Sequence, residues 1–535
     1  MSDAWGCSTL ARVRNLGPER HAWLIPLSAG LLAIALYAHT LAGTWIYDDV
    51  FHAREDPRLT APGGWRAYWT EGYVPGAADH LWRPIVSTSY LVQCKVSGAR
   101  AWPFHLVNIL LHALASALVA VLAGRLTQDS RVAAAAGLLF AAHPIHVEAV
   151  AYVVGRAESL CAIGMLGAMV LMLRPMTVGR ALAVWACFVV AVLSKEQGLL
   201  LPPMLMALWV WRRRAPQAER LNGWTALSAD GDKAVRDANA GRLLLVLVLF
   251  TFAAYVIYRE HILPWYWETN LLDYATQPMI HSGVRDRLLI PVALLGRATA
   301  LFVLPIKLSP EYGLAVITAR QDLRDPYLYV GLISLGIALI VSIEAIRRRA
   351  WTVLLLLGCA GLTYGMVSNV KLIGVVFAER LLYLPSAFVL ILAAIALGRW
   401  LPRRVMAGVL AALVIALGVR TITYAATWND RLGFYERSVA ASPRSARLRV
   451  LLAGALIARG DYDRARQVTD VGLAIAPDYW KLWTTAGRIA VAQDRLDDAR
   501  ADVERAWALD PFPPEVVYVQ ELIDRRAAAA TTTRP

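Results

Sequence analysis

The sequence predicts an all-α protein in two parts, a polytopic membrane helix bundle followed by a polar helical solenoid. Three observations predict it. Of the 535 residues, 58% are hydrophobic and 18% charged, whereas a soluble globular chain is nearer half apolar and a quarter charged. Apolar runs recur through the first part of the chain, with short arginine clusters between them. From about residue 430 the chain turns polar and amphipathic, and it repeats itself every 34 residues. The same composition excludes a disordered chain. A net charge of +14 could suggest nucleic acid, but arginines set between apolar runs read as topology markers. No nucleic-acid partner is expected.

The elements follow in order. Residues 1–21 form an expected cytoplasmic tail carrying Arg12, Arg14 and Arg20. The run 22–43 is free of acidic and basic residues other than His39 and long enough to span a bilayer. It is followed by WIYDDV rather than by a small-residue cleavage site, so it reads as a retained span. Further apolar segments lie near 104–124, 131–142, 159–173, 180–194, 197–211, 242–259, 288–305, 327–346, 351–369, 381–398 and 405–420. Arginine clusters stand at 125–131, 174–180, 212–220, 347–349 and 399–404. If each is cytoplasmic, an even number of crossings separates neighbouring clusters. Only the interval from Arg220 to Arg347 fails, because it holds three apolar segments. Segment 288–305, interrupted by Pro291 and charged by Arg297, is the one expected not to cross, as a re-entrant or interfacial helix. This gives eleven spans within 22–427, a large first outside loop at 44–103, and a C-terminal region outside. Segments 131–142 and 159–173 are short for spans, and a re-entrant hairpin made of the two would preserve the parity.

In the polar part, Tyr462, Ala465, Gly472 and Pro477 recur 34 residues later as Leu496, Ala499, Ala506 and Pro511, and Pro443 stands 34 before Pro477. Ala453, Gly487 and Trp483 keep the phase. That period with those small, aromatic and proline positions is the tetratricopeptide signature. The solenoid is expected over 428–526: half a repeat (428–443), two full repeats, and a capping helix near 515–526, with 527–535 a disordered tail. The five cysteines show no CxxC or Cys/His spacing, so neither a disulfide framework nor a zinc site is indicated.

On this topology the outside face receives the charged and aromatic residues. Asp48 and Asp49, beside Tyr47, follow directly on the first span. Carboxylates at that depth are costly unless they face a wet cavity or bind something. One can accept a proton from a nucleophile while the other orients the substrate; the bland alternative is a polar helix boundary, for which acidic residues suit the negative C-terminal dipole poorly. His143, His146 and Glu148 are metal ligands by type, but Pro144 breaks the spacing and no metal is assigned. Gly155-Arg156-Ala157-Glu158 closes that loop, and Ser194-Lys195-Glu196 makes a short turn where Lys195 pairs with a carboxylate or faces a phosphate. Glu379-Arg380 opens AERLLYLP, which includes Tyr383; Arg380 is either an anion ligand or a snorkelling anchor.

The ordered motifs YDD, EDPRL, WRP, FHLVNILLHAL, LLFAAHPIHVEAVAYVVGRAE, LSKEQG, LPIKLSPEY and AERLLYLPS, followed by tetratricopeptide repeats, resemble the transmembrane and tetratricopeptide-containing (TMTC) O-mannosyltransferases. The resemblance covers about residues 22–525. It implies a GT-C type membrane domain and an inverting glycosyltransferase. The enzyme would transfer a sugar, mannose by default, from a polyprenyl-phosphate donor to a protein Ser/Thr hydroxyl on the extracytoplasmic face. The acidic pair of the family maps onto Asp48 and Asp49. Arg83, Arg156, Lys195 and Arg380 are then expected to hold the donor phosphate, with Tyr47, His143, His146, Glu148, Glu158, Glu379 and Tyr383 lining the site. No cofactor is required; a divalent metal is an option but not favoured. Expected partners are the lipid-linked donor, membrane lipid and an acceptor protein docked on the repeats. An Ala/Arg-rich chain with six lysines suggests a bacterial inner-membrane enzyme. The alternatives are a non-catalytic scaffold that recruits envelope proteins through its repeats, or a GT-C enzyme that transfers an oligosaccharide or modifies a lipid.

Overall fold

The computed structural model describes residues 23–73, 81–214, 231–263, 274–510 and 514–532. The N-terminal tail with its arginines, Trp265, Trp267 and residues 215–230 of the 212–241 connection lie outside the described residues. The described chain is all-helical but for one isolated bridge between Leu314 and Ile317. Every apolar segment named above forms a helix.

Among the described residues seven helices are long and apolar enough to cross a membrane, including Leu24–Ala42, Ala101–Thr127, Val153–Met172, Pro326–Arg347 and Arg403–Trp428. Ser130–Ala142 and Pro144–Val150 make an eighth if taken together, bent by 51°. The bend has a local cause: Pro144 offers no N–H, and the His143 Nδ1 accepts instead from Ile145 N at 3.2 Å. Val178–Ser194, Leu201–Arg214 and Trp351–Gly365 are shorter. At 1.5 Å per residue they fall below the roughly 30 Å of a hydrocarbon core. The eleven crossings expected from sequence require all three to cross as well, with local thinning or tilt of their neighbours absorbing the mismatch. The chain is a multi-pass membrane protein.

Two expectations need correction. Pro291 does not interrupt its segment: Val284–Val303 is one continuous 20-residue helix, and the proline costs it only the bond to the Arg287 carbonyl. Arg285, Asp286, Arg287 and Arg297 nonetheless keep it out of the set of apolar spans. It crosses Pro326–Arg347 closely, because a Cβ on Gly296 would sit 1.8 Å from the Tyr327 carbonyl and one on Gly331 1.9 Å from the Val292 carbonyl. The second correction is the tail. Residues 527–532 continue the last helix, Pro514–Thr532, since the Ala527–Ala530 run has the strongest helix propensity available.

The solenoid is built as the repeat predicts. Arg431–Ala441 is the half repeat, Ala446–Ala458 pairs with Tyr462–Ile475, Trp480–Ala492 with Leu496–Leu509, and the last helix caps the array. The small positions let the helices approach: Ala453, Ala465, Ala486, Ala499 and Ala506 are fully buried, and a Cβ on Gly472 would lie 2.5 Å from Leu482. Ser445 and Asp430 cap their helices by accepting from Leu448 N and Gly433 N. The array does not hang free. Ser442 Oγ donates to Ser309 Oγ at 2.8 Å, and Ala275 and Leu314 pack against Ala446, Ala476, Tyr479 and Leu482.

The glycine crossing gives a direct test. Gly331→Val is expected to force the two helices apart and cost about 1–3 kcal/mol, read as a lower melting temperature of the detergent-solubilised protein; an unchanged melting temperature would contradict the crossing.

Candidate functional site

The first loop is organised by its own motif. Asp56 caps the turn Pro57–Leu59, and its carboxylate takes a bidentate pair from Arg58, whose other N–H groups reach the Gly72 and Tyr73 carbonyls. This folds the loop back over the end of the first span. Tyr47 then enters with φ +59°, the left-handed region that a bulky residue rarely occupies. The segment continues into a π-helical turn, Val50–Arg54. Both irregularities frame the acidic pair, where strained backbone tends to collect at functional sites.

The two aspartates have different surroundings. Asp49 is 1% exposed; its Oδ1 accepts from Val154 N at 2.9 Å and its Oδ2 faces Ile46 N at 3.5 Å. Burial pushes its carboxyl well above the usual carboxylate range, against the pull of those backbone N–H groups. Asp48 is half-buried and its Oδ2 accepts from the Tyr152 hydroxyl at 2.7 Å. Its other oxygen takes no hydrogen bond among the described residues. Asp49 therefore braces the first loop against the Val153–Gly155 turn, and Asp48 presents the oxygen that is free to act. His52, one turn on, stacks on Tyr73 at 4.3 Å, and burial pulls its imidazole down to about 4, so it is neutral at physiological pH.

Of the expected cations, Arg83, Lys195 and Arg380 each have a carboxylate partner. Arg380 forms an ion pair with the buried Glu148, whose second oxygen accepts from Arg380 N at 2.8 Å. The Arg380 guanidinium also interacts electrostatically with Tyr152, Tyr47 and Asp48. Arg83 bonds Glu196 at 3.2 Å and covers the Tyr73 ring, and its Nε is buried without a hydrogen-bond partner among the described residues. Lys195 pairs with Glu158, both buried. Of the alternatives left by the sequence for Lys195, the carboxylate partner is the one observed.

Four residues expected at the site have their polar groups engaged elsewhere: Arg156, His146, His143 and Tyr383. Arg156 is 1% exposed, and its donors go to Asn108 Oδ1, Ser89 Oγ and the Phe104 carbonyl, with Tyr90 and Phe104 rings against its face. It ties three helices together and has no face left for a phosphate. His146 spends both nitrogens on the Phe140 carbonyl and Ser386 Oγ, and His143 spends its own on Ile145 N and the Phe302 carbonyl. Tyr383 bonds His112 at 2.8 Å inside the bundle. These rings spend their polar atoms on backbone groups, Ser386 and His112 in the bundle core. Among the described residues no group of three or more His, Cys, Asp or Glu is placed to hold a metal.

Glu379 belongs to a neighbouring cluster. Its Oε1 accepts from Ser309 N and the Tyr312 hydroxyl, both at 2.7 Å, which pins the 309–312 loop to the start of its helix. That loop supplies the residues that sequence reasoning missed. Glu311 Oε2 accepts from the Tyr47 hydroxyl at 3.1 Å and from Arg447 Nη1 at 2.7 Å. Glu311 and Tyr312 sit in LSPEY and Tyr152 in HVEAVAY, so the motifs held them without marking them; Arg447 carried no signal at all in an arginine-rich repeat.

Comparisons with known proteins agree with this architecture. A family model described as a tetratricopeptide repeat matches residues 432–482. The protein O-mannosyl-transferase F38B6.6 of Caenorhabditis elegans is 24% identical over 433 residues, 78% of this chain and 58% of that protein. Tmtc1 of Drosophila melanogaster, named a protein O-mannosyl-transferase, is 24% identical over 556 residues, 83% of this chain and 61% of its own length. Human TMTC2, of the same name, is 34% identical over 137 residues, 25% of this chain and 16% of its own. The chain spans less than two thirds of the length of these curated relatives. No solved structure matches.

The state of Asp49 can be checked without a substrate. Because burial raises its folded pKa, its contribution to stability is present at low pH and is lost as pH rises through that folded value. Asp49→Asn keeps an acceptor for Val154 N but cannot ionise. Its melting temperature relative to wild type is expected to rise between pH 5 and pH 8; a difference that is flat or falls would contradict the assignment.

Proposed function

We infer that this chain, TMTC-like in sequence over most of its length, is a membrane glycosyltransferase acting on protein. It moves a sugar, mannose by resemblance, from a polyprenyl-phosphate carrier to a Ser/Thr hydroxyl on the extracytoplasmic face of a bacterial inner membrane. One observation carries the reading: Asp48 holds one oxygen on the Tyr152 hydroxyl, and its other oxygen takes no hydrogen bond among the described residues. This carboxylate lies just beyond the first span, and the Arg380 guanidinium acts on it electrostatically.

The chemistry follows from that pairing. The acceptor hydroxyl gives its proton to Asp48 as its oxygen attacks the anomeric carbon from the face opposite the phosphate. The bond from that carbon to the phosphate oxygen breaks with its electron pair, and the configuration inverts. A hydroxyl is a weak nucleophile, so a positioned base is worth about 10²–10⁴-fold. The leaving phosphate is an anion from the start and needs charge stabilisation rather than a proton. Arg380 supplies it, with a planar guanidinium that Glu148 orients from one side. Arg83 is the second cation, with Nε unspent. Lys195 and Arg156 hold the helices that carry these groups. No step is routed through a metal.

Asp48→Asn is expected to insert and melt like wild type while sugar transfer to a Ser/Thr peptide falls by about 10²–10⁴-fold, measured by mass analysis of the product. Wild-type turnover from that variant would sink the reading. Sidedness is checked separately: a reporter fused after residue 535 is expected to be active only in the periplasm, and cytoplasmic activity would reverse the orientation.

A further inference from the structure

The repeat domain reaches Tyr47, the residue next to the acidic pair. Arg447 lies on Ala446–Ala458, the first helix of the first full repeat. It donates to Glu311, the same carboxylate oxygen that receives the Tyr47 hydroxyl, and its guanidinium lies 5.1 Å over the Tyr47 ring. The far oxygen of Glu311 is fixed by Gly313 N at 2.8 Å. Tyr47 meets Tyr152 edge-on at 5.9 Å, and Tyr152 donates to Asp48. From the half repeat, Tyr435 is buried in the same cluster as Tyr47 and interacts with Asp48 and with the Tyr47 backbone. Two helices of the solenoid therefore reach the surroundings of Tyr47, the residue that precedes Asp48.

A tyrosine at φ +59° is held there against its own preference, and such conformations persist only where the surroundings over-determine them. Of the groups that hold Tyr47, Arg447 comes from the repeats and touches both its ring and its hydroxyl partner. Without Arg447, Glu311 would keep a charge at 7% side-chain exposure with no cation beside it, and Tyr47 would lose the lid over its ring.

We propose that Arg447 is a positioning residue for Asp48: the docked repeat domain forms one wall of the transfer site and holds Tyr47 in its left-handed turn, so transfer depends on the repeats even for an acceptor that never touches their groove. The proposal rests on Asp48 as the base. It separates the repeats from a purely acceptor-docking role, because a docking platform changes how tightly an acceptor binds and not how fast the bound acceptor reacts.

The test uses the full chain in lipid nanodiscs, a polyprenyl-phosphate mannose donor and a short Ser/Thr peptide. In Arg447→Ala, kcat is expected to fall by about ten- to a hundredfold with little change in peptide KM, as for a small displacement of a reacting group. Arg447→Lys should recover part of it by returning a cation to Glu311. Hydrogen exchange supplies a readout independent of transfer: the amides of 46–50 should exchange faster in Arg447→Ala, while those of Leu496–Leu509 are unchanged. Arg500→Ala, at an exposed pair with Asp497, is the control and should match wild type in both. Unchanged exchange at 46–50 overturns the proposal whatever the activity, and so does a wild-type kcat. If the wild-type chain transfers no sugar, the functional reading fails and the exchange result alone decides the role of Arg447. Should Arg447→Ala not fold, Glu311→Gln removes the same ion pair with its shape preserved, and the same outcomes apply.

Discussion

Charge inside an apolar bundle is the constraint from which the rest of this structure follows. An ionised side chain at membrane depth is tolerated only when paired or when it faces water. Here Glu148, Glu196 and Glu311 each receive a guanidinium from 232, 113 or 136 residues away, and Glu158 receives Lys195. Breaking such a pair by removing one partner leaves an uncompensated charge and is strongly destabilising. The pairs thus act as long-range registers that fix which loop lies against which helix. Asp49 and Glu379 are handled differently, by backbone N–H groups and, for Glu379, a tyrosine hydroxyl. Asp48, on the first loop, keeps an oxygen that takes no hydrogen bond among the described residues, as do the buried Glu158, Glu196 and Glu379.

The same constraint links the membrane bundle to the solenoid. Glu311 lies on a loop between two bundle helices, yet its cation comes from the repeats. Around that contact the Ser442–Ser309 bond and the apolar patch of Ala275 and Leu314 against Tyr479 and Leu482 fix the orientation of the array. A short solenoid of this kind has little core of its own, and docking on the bundle supplies the buried surface it lacks. The arrangement also explains why the first loop is irregular. Its left-handed Tyr47 and π-helical Val50–Arg54 turn lie where three parts of the chain converge on one small region.

Much of this was legible in the sequence, and the division is physical. Apolar runs and a 34-residue period report local chemistry that repeats, so all the apolar segments became helices and the repeat helices fell in the expected phase. Acidic residues at the end of the first span stood out because water-seeking groups are conspicuous there. Pairing was not legible. Arg156 and Arg380 look alike in a string, but one is spent on Asn108, Ser89 and Phe104 while the other pairs with Glu148. His143, His146 and Tyr383 read as site residues by type and turned out to satisfy one another's neighbours in the core. Pro291 misled for a related reason, since a proline in the first half of a helix costs a single bond that packing against Pro326–Arg347 offsets.

The most direct measurement is an experimental density map of the full chain with a polyprenyl-phosphate sugar bound. The phosphate is expected against the Arg380 guanidinium, the anomeric carbon on the side of the free Asp48 oxygen, and the lipid chain running out between the bundle helices. A phosphate seated away from Arg380, with the sugar out of reach of Asp48, would contradict it.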